Sequence, residues 1–166
     1  MKEEQLKILQ IMVQATSRMD LNMFAEKISL TPEQTIHQVQ ELANKGLLRK
    51  VGSGYGVTEK GKSAIKAYAQ LPDGFEFNFY VQIDQPTGEF AKTIADFYQI
   101  IKQVNVVSLE FHLYRGDFEN WVKSALNDAD LAKQIADIEA LNLKGENLRG
   151  ELLKVIDEKY AIKDLL

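Results

Sequence analysis

Four residues in the second half of the chain carry side chains that catalysts often use. The sequence HLYRGDFENW places His112, Arg115, Asp117 and Trp121 within ten residues. A histidine in contact with an aspartate can transfer a proton near neutral pH. The same residues also suit a structural role, in which a buried histidine bonds a helix-capping aspartate and the tryptophan packs beneath them. Catalysis, ligand binding and structure all stay open for this cluster, and the sequence favours structure.

The sequence offers few residues for metal or cofactor chemistry. It has no cysteine, which excludes disulfides, thiolate zinc sites and cysteine nucleophiles. Its two histidines fall in separate halves, and Asp128 and Asp130 are explained more simply as helix-cap residues than as calcium ligands. It contains no glycine-rich phosphate loop, nucleophile elbow or zinc-protease pair. We therefore expect no metal, no cofactor and no enzymatic activity.

Charge is distributed unevenly along the chain. The formal net charge is −4. Residues 1–70 carry ten Lys and Arg against seven Asp and Glu, whereas residues 71–166 carry ten against seventeen. Binding responds to the local field rather than to the total charge. A basic surface for nucleic acid in the first half is therefore compatible with an acidic total.

A second group of chemically useful residues lies in the basic stretch KGLLRKVGSGYGVTEKGKSAI. It contains two strand-like runs, LLRKV and YGVT, joined at Gly52-Ser53-Gly54. Glycines at such a tip permit positive φ and close approach to a phosphate. Arg49 and Lys50 on the first run, and Lys60 and Lys62 just after the second, are candidate phosphate contacts.

Helix signals surround this predicted hairpin. Apolar spacing predicts a helix over residues 3–16, and Asp20 can cap a short second helix. The sequence TPEQ, residues 31–34, is a capping box with proline at the first helical position, and it predicts a third helix that ends at Gly46. Ile36, Val39, Leu42 and Ala43 form the predicted inward face of this helix. A fourth helix over residues 59–69 follows the hairpin, with Thr58 as its cap.

This order of elements, with the words ELANKGLLRK and YGVTEKGKSAI, resembles the winged helix-turn-helix of prokaryotic transcription regulators over residues 3–70. The resemblance implies that the third helix enters the major groove of DNA and that the hairpin, or wing, lies along the flanking backbone. Thr35 and Gln38 are the candidate base readers on an outward face that also includes Glu33 and Glu41. The expected DNA-binding residues are Gln34, Thr35, His37, Gln38, Lys45, Arg49, Lys50, Ser53, Lys60 and Lys62.

The third helix also has features that argue against DNA. It contains no arginine, its one lysine lies at its far end, and Glu33 and Glu41 would repel phosphates. Winged helices also serve as protein-docking modules. A protein–protein adaptor is therefore the first alternative, and a small-molecule-binding protein that uses the His112 to Trp121 block is the second.

The second half begins after AQLPDGF, a linker with the turn sequence Pro-Asp-Gly. FEFNFYVQI alternates as a strand with one buried face that includes Phe75, Phe77, Phe79, Val81 and Ile83. DQPTG predicts a turn over residues 84–88, residues 89–92 a short returning strand, and Thr93 a helix cap. Residues 106–113 fit a strand or a helix, and we favour a helix. Three more helices are expected, the first capped by Asp117 and the others over residues 129–141 and 145–164.

The words LEFHLYRGDFENWV and LNDADLAKQI resemble an uncharacterised prokaryotic domain family over residues 75–162. The resemblance brings no activity. The predicted fold is α+β and mainly helical: a winged helix-turn-helix domain, residues 1–70, precedes a C-terminal domain, residues 71–166, with a short hairpin and four to five helices.

The predicted function is a DNA-binding transcriptional regulator. Its partner would be double-stranded DNA, and its C-terminal domain would sense a small-molecule effector, contact a protein or dimerise. A homodimer is expected because one winged helix contacts only a short half-site. The apolar faces of the first and last helices, at Ile8, Ile11, Met12, Leu152 and Ile156, are candidate dimer surfaces. No apolar run is long enough for a membrane span and MKEEQLK lacks a signal-peptide core, so a cytoplasmic location is expected.

Overall fold

The computed structural model describes residues 1–15 and 20–166. The chain forms two compact units, Met1–Lys66 together with Lys163–Leu166, and Ala67–Ile162. Helices dominate, and two separate two-stranded antiparallel hairpins are the sheets of the described residues. This confirms the predicted α+β, mainly helical class. That residues 1–70 and 71–166 fold as separate domains stays a prediction.

The N-terminal unit contains three helices, a hairpin and most of a fourth helix. The elements are α1 (Glu3–Gln14), α2 (Leu21–Ile28), α3 (Pro32–Asn44), β1 (Leu48–Val51), β2 (Gly54–Val57) and α4 (Glu59–Ala67). We call β1 and β2 the first hairpin. The predicted α1 reached residue 16, which lies outside the described residues, and α4 ends two residues before its predicted end.

Local capping explains where these helices begin. The Asp20 carboxylate accepts a hydrogen bond from the Met23 amide at 3.0 Å. Thr31 and Gln34 form a reciprocal capping box: the Gln34 amide donates to the Thr31 hydroxyl at 3.2 Å, and the Thr31 amide donates to the Gln34 side chain at 2.9 Å. Gly46, with φ of 73°, follows α3 in the left-handed conformation. The predicted starts of α2 and α3 are therefore confirmed.

The start of α4 packs closely against the backbone that leads into the first hairpin. Thr58 caps α4 as predicted, since its hydroxyl accepts from the Gly61 amide at 3.0 Å and donates to the Gly46 carbonyl at 2.7 Å. A Cβ atom at Gly61 would lie 2.3 Å from the Leu47 carbonyl oxygen. Only glycine therefore permits α4 to pack this closely against the backbone of Leu47, the residue just before β1.

The second unit contains one hairpin and five helices. Its elements are β3 (Phe77–Gln82), β4 (Gln85–Ala91), α5 (Ile94–Gln103), α6 (Val106–Tyr114), α7 (Asp117–Ser124), α8 (Ala129–Ala140) and α9 (Gly145–Tyr160). A 3-10 turn, Ile162–Asp164, then leads from the end of this unit into the last residues of the first unit. The predicted helix over residues 106–113 is confirmed as α6. Asp117 is not a cap, because Gly116 occupies the cap position with φ of 74° and Asp117 is the first helical residue.

The β3–β4 hairpin departs from its predicted form. The turn is formed at Ile83 and Asp84, with Asp84 at φ of 61°, and β4 already begins at Gln85. The predicted turn over residues 84–88 is therefore wrong. Pro86 and Gly88 lie within the strand, where the pairing register shifts in the manner of a bulge. Proline and glycine thus marked a bulged edge strand rather than a turn.

The core of the second unit is aromatic at its centre. Phe77 and Phe79 on β3 pack with Phe97 and Phe118, with ring centroids 4.9 to 6.0 Å apart. Phe75 and Ile83 were predicted on the same buried face but are 55% and 68% exposed, because each lies beyond an end of β3. The candidate dimer residues Leu152 and Ile156 on α9 and Ile8 on α1 are fully buried within their own units. These three side chains therefore form no dimer surface.

Two charged side chains hold the C-terminal helices in place. Arg149 on α9 donates through its guanidinium to the Ile101 carbonyl and, at 2.9 Å, to the Val104 carbonyl at the end of α5. Asp128 caps α8 and also accepts hydrogen bonds from Lys159 and Tyr160 at the end of α9. The prediction of Asp128 as a cap is therefore confirmed. Among the described residues, no helix is both long and apolar enough to cross a membrane.

Candidate functional site

The first hairpin presents two cations that have no acidic partner among the residues that the structure describes. Arg49 and Lys50 are exposed on β1, opposite Gly56 and Tyr55 of β2. Neither forms an ion pair with any residue that the structure describes. Their positive charge is therefore available to an anionic partner.

The two predicted phosphate contacts on α4 are in a different state. The Lys60 ammonium lies 2.7 Å from the Asp164 carboxylate and also donates to the Lys45 carbonyl at 3.1 Å. The Lys62 ammonium lies 2.7 Å from Glu59, and its hydrogen bond holds the pKa of that carboxyl below its usual value. The positive charges of Lys60 and Lys62 are therefore paired with carboxylates, unlike those of Arg49 and Lys50.

Three of the predicted residues on α3 have side chains that are already engaged. Thr35 was predicted to face outward, but it is fully buried and its hydroxyl donates to the Thr31 carbonyl at 2.9 Å. The Gln34 side chain completes the capping box. The Gln38 side-chain oxygen accepts from the Gln5 side chain of α1 at 3.0 Å. The prediction that Thr35 is an outward base reader is therefore wrong. The buried face of α3 includes Thr35 where the sequence pattern had placed Ile36.

The α3 face next to α1 is held by polar contacts around the buried Gln5 side chain. Gln5 is 1% exposed and donates to Gln38 and, at 2.8 Å, to Glu41. Lys2 lies 3.2 Å from the same Glu41 carboxylate, and this hydrogen bond lowers the pKa of Glu41. His37 is exposed, with its imidazole 4.0 Å from Glu41. Glu41 therefore belongs to the α1–α3 contact rather than to a free surface.

The exposed stripe of α3 includes residues that the sequence reasoning missed. The helical positions at spacings of three and four on the free side are Glu33, Ile36, His37, Gln40 and Asn44, all of them exposed. Ile36 was predicted inward but is 43% exposed. Gln40 and Asn44 were not proposed. Helical spacing could have identified them, because they lie three and seven positions after His37, which was expected to face outward.

An apolar groove lies between this stripe and the tip of the first hairpin. We call it the hairpin groove; its volume is about 920 Å³. Exposed apolar side chains at its rim are Leu21, Ile36, Val51 and Tyr55, and Ser53 lies at the hairpin tip that borders it. Lys45, at the C-terminal end of α3, is exposed but does not line the groove. The surface formed by α3 and the first hairpin is therefore polar and cationic in parts and apolar in the groove.

His112, in the second unit, is held on both sides of its ring. Its Nε2 accepts a hydrogen bond from the Tyr80 amide of β3 at 2.8 Å, and its Nδ1 lies 2.8 Å from the Asp117 carboxylate of α7. The side chain is 4% exposed. Since an amide can only donate, Nε2 must be unprotonated, and the proton lies on Nδ1 and is donated to Asp117. Burial lowers the pKa of His112, which outweighs the opposing effect of Asp117.

Arg115 and Trp121 complete this cluster. The Arg115 guanidinium lies over the Phe111 ring at 4.7 Å and bonds Asp117 at 3.2 Å. The Trp121 indole donates to the Phe75 carbonyl at 2.8 Å and is 9% exposed. The structure brings His112, Arg115 and Asp117 into contact. Trp121 is linked to them through Phe77, against which both the indole and the imidazole pack.

Residues 72–165 match the model of a family of unknown function, DUF5752. The chain belongs to this family. No winged helix-turn-helix family accompanies the match. Neither the curated proteins nor the solved structures give a match. The prediction that the C-terminal part is a domain of unknown function is therefore confirmed.

The DUF5752 region has a shallow depression above His112. It has a volume of about 490 Å³, and its rim includes Asn78, Arg115 and Asn120. The lone pair and the proton of the imidazole are both used within the protein, so His112 has no free atom with which to take a proton from a ligand. Among the residues that the structure describes, no three His, Asp or Glu side chains converge in a way that could hold a metal ion.

Proposed function

We propose that the N-terminal unit is a winged helix-turn-helix that binds double-stranded DNA, as part of a transcriptional regulator. The observation that supports this is the state of the hairpin cations. Arg49 and Lys50 are adjacent, exposed and without an acidic partner among the described residues, next to a helix whose outer stripe is solvent-accessible. Phosphate contacts of this kind position a protein on the duplex.

The DUF5752 region would then sense an effector, contact a protein or hold two copies together. A dimer is part of the proposal because one winged helix contacts a short half-site, and two linked half-sites raise the overall affinity. Its surface would lie outside the buried faces of α1 and α9.

A salt titration tests DNA binding. Anisotropy of a labelled duplex of mixed sequence is measured with the full chain between 50 and 200 mM salt. The affinity should fall steeply, because each neutralised phosphate contributes about 0.9 to the slope of log K against log salt. Arg49→Glu with Lys50→Glu should weaken binding and reduce that slope by about 2.

The matched control is Lys133→Glu with Lys154→Glu, which makes the same change in net charge at lysines that are 78% and 58% exposed on α8 and α9. It should leave most of the affinity and the slope unchanged. Equal loss of binding in both double variants, or no duplex binding at 50 mM salt, would contradict the proposal.

A protein-docking module is the second candidate, and the hairpin groove favours it. Its rim carries Ile36, Val51 and Tyr55, between 39% and 55% exposed, and apolar rims of this kind are typical of protein contacts. The same titration separates the two functions. An apolar contact weakens little with salt, whereas a phosphate contact weakens strongly.

A further inference from the structure

The exposed stripe of α3 has a chemical character that indicates which bases it would contact. Gln34 and Gln38, the glutamines nearest the helix start, are engaged with Thr31 and Gln5. Gln40 is exposed, and its side chain forms no hydrogen bond within the part of the chain that the structure describes. It is therefore the glutamine of α3 whose amide is free to bind another molecule.

Ile36 lies one helical turn before Gln40 on the same stripe. It is 43% exposed, and both residues border the hairpin groove. Residues four positions apart on a helix are neighbours on its surface. An exposed isoleucine and a free carboxamide thus lie side by side next to the first hairpin.

We propose that Gln40 and Ile36 give this protein a preference for A·T base pairs in the major groove. This inference rests on the proposed DNA binding. A glutamine amide donates and accepts at once, which matches N7 and the N6 amino group of adenine, and an apolar side chain packs against the thymine methyl group. The stripe carries no arginine or lysine, the side chains that most often bind guanine. Gln40 therefore contacts adenine, and Ile36 contacts a thymine methyl.

A selection experiment with the full chain tests this. The chain is incubated with a library of random duplexes at 50 mM salt, and bound sequences are compared with the input. The wild type should enrich sites with A·T pairs, and Gln40→Ala should relax the preference at one position by about tenfold, the equivalent of one good base contact. Gln134→Ala is the matched control, since it makes the same change at an exposed helical glutamine of α8, and it should keep the wild-type preference.

A second measurement isolates Ile36. Replacing thymine by uracil in a selected duplex removes only the 5-methyl group. The wild type should bind the uracil duplex several-fold more weakly, and Ile36→Ser should bind both duplexes equally.

Each outcome is decisive. Salt-dependent duplex binding without A·T enrichment, or enrichment that Gln40→Ala leaves intact, overturns this inference and leaves the proposed DNA binding standing. An absence of binding to any duplex at low salt overturns both. Enrichment that is lost in Gln40→Ala but kept in Gln134→Ala supports the inference.

Discussion

His112 has one protonation state that satisfies both of its hydrogen bonds. A second proton on the ring would place a donor against the Tyr80 amide, which is also a donor. Its pKa is lowered in the folded protein, so the neutral form stabilises the fold above the unfolded-state pKa of about 6.5. This contribution should be lost as the pH falls from 6.5 towards the lower folded value, with a slope of at most about 1.4 kcal/mol per pH unit.

Urea unfolding at pH 7.5 and 5.5 measures this effect. Trp121, the single tryptophan of the chain, packs against Phe77, which also contacts His112, and reports the unfolding of this core by fluorescence. His112→Gln should lose about 1–3 kcal/mol at pH 7.5 and show a smaller change on acidification than the wild type. His37→Gln, at the exposed histidine of α3, is the control. An unchanged pH difference in His112→Gln would show that the acid sensitivity has another source.

The sequence predicted some site residues better than others, for a physical reason. Arg49 and Lys50 could be placed on an exposed strand because a hairpin tip fixes their surroundings locally. Thr35 could not, because its hydroxyl is satisfied by the Thr31 carbonyl and a threonine so bonded can be buried. The pair formed by His112 and the Tyr80 amide depends on a contact between α6 and β3, which no local pattern contains.

At the scale of elements, Arg149 is the clearest example of one helix completing another. The last carbonyls of a helix have no partner within it. Here the carbonyls of Ile101 and Val104, at the end of α5, accept hydrogen bonds from the guanidinium of Arg149 on α9. The Arg149 side chain is 13% exposed. Arg149→Met should therefore destabilise the DUF5752 region by about 2 kcal/mol, because hydrogen bonds from a charged donor are lost and the carbonyls are left unpaired.

Urea unfolding followed by Trp121 fluorescence again provides the measurement. Glu146→Ala removes the exposed ion pair of Arg149 and keeps its contacts to α5, so its effect should be small. Equal losses of stability in both variants would mean that Arg149 stabilises the fold through its ion pair with Glu146 and not through its contacts to the end of α5.

Caps made the helices the most predictable elements. Asp20, Thr31 and Thr93 each accept from an amide three residues later, and each contact is local in sequence. The β3–β4 hairpin was less predictable, since Pro86 and Gly88 are typical of turns as well as of bulged edge strands. Only the pairing with β3 distinguishes the two, and that pairing is a tertiary property.

At the scale of the whole molecule, the N-terminal unit includes residues from both ends of the chain. Leu165 is 1% exposed, its carbonyl accepts from the Met1 amino group at 2.8 Å, and Asp164 pairs with Lys60. Leu165→Ala should therefore destabilise the N-terminal unit by about 2–3 kcal/mol, as expected for a buried leucine. Amide hydrogen exchange should become faster in α1 and α3 and stay unchanged in the β3–β4 hairpin.

Leu166→Ala, at a residue that is 49% exposed, is the matched control and should have little effect. Faster exchange in the β3–β4 hairpin of Leu165→Ala would show that the last residues support the second unit, Ala67–Ile162, instead.

The grouping of Lys163–Leu166 with Met1–Lys66 makes the second unit, Ala67–Ile162, an insertion within a discontinuous first unit. A fragment that stops at residue 70 would lack the leucine that its own fold buries, and a failure of that fragment to bind DNA would say little about the intact protein. Grafting residues 163–166 onto such a fragment through a flexible linker would restore the missing side chains. The shortest faithful version of the N-terminal unit is therefore made of two pieces of sequence rather than one.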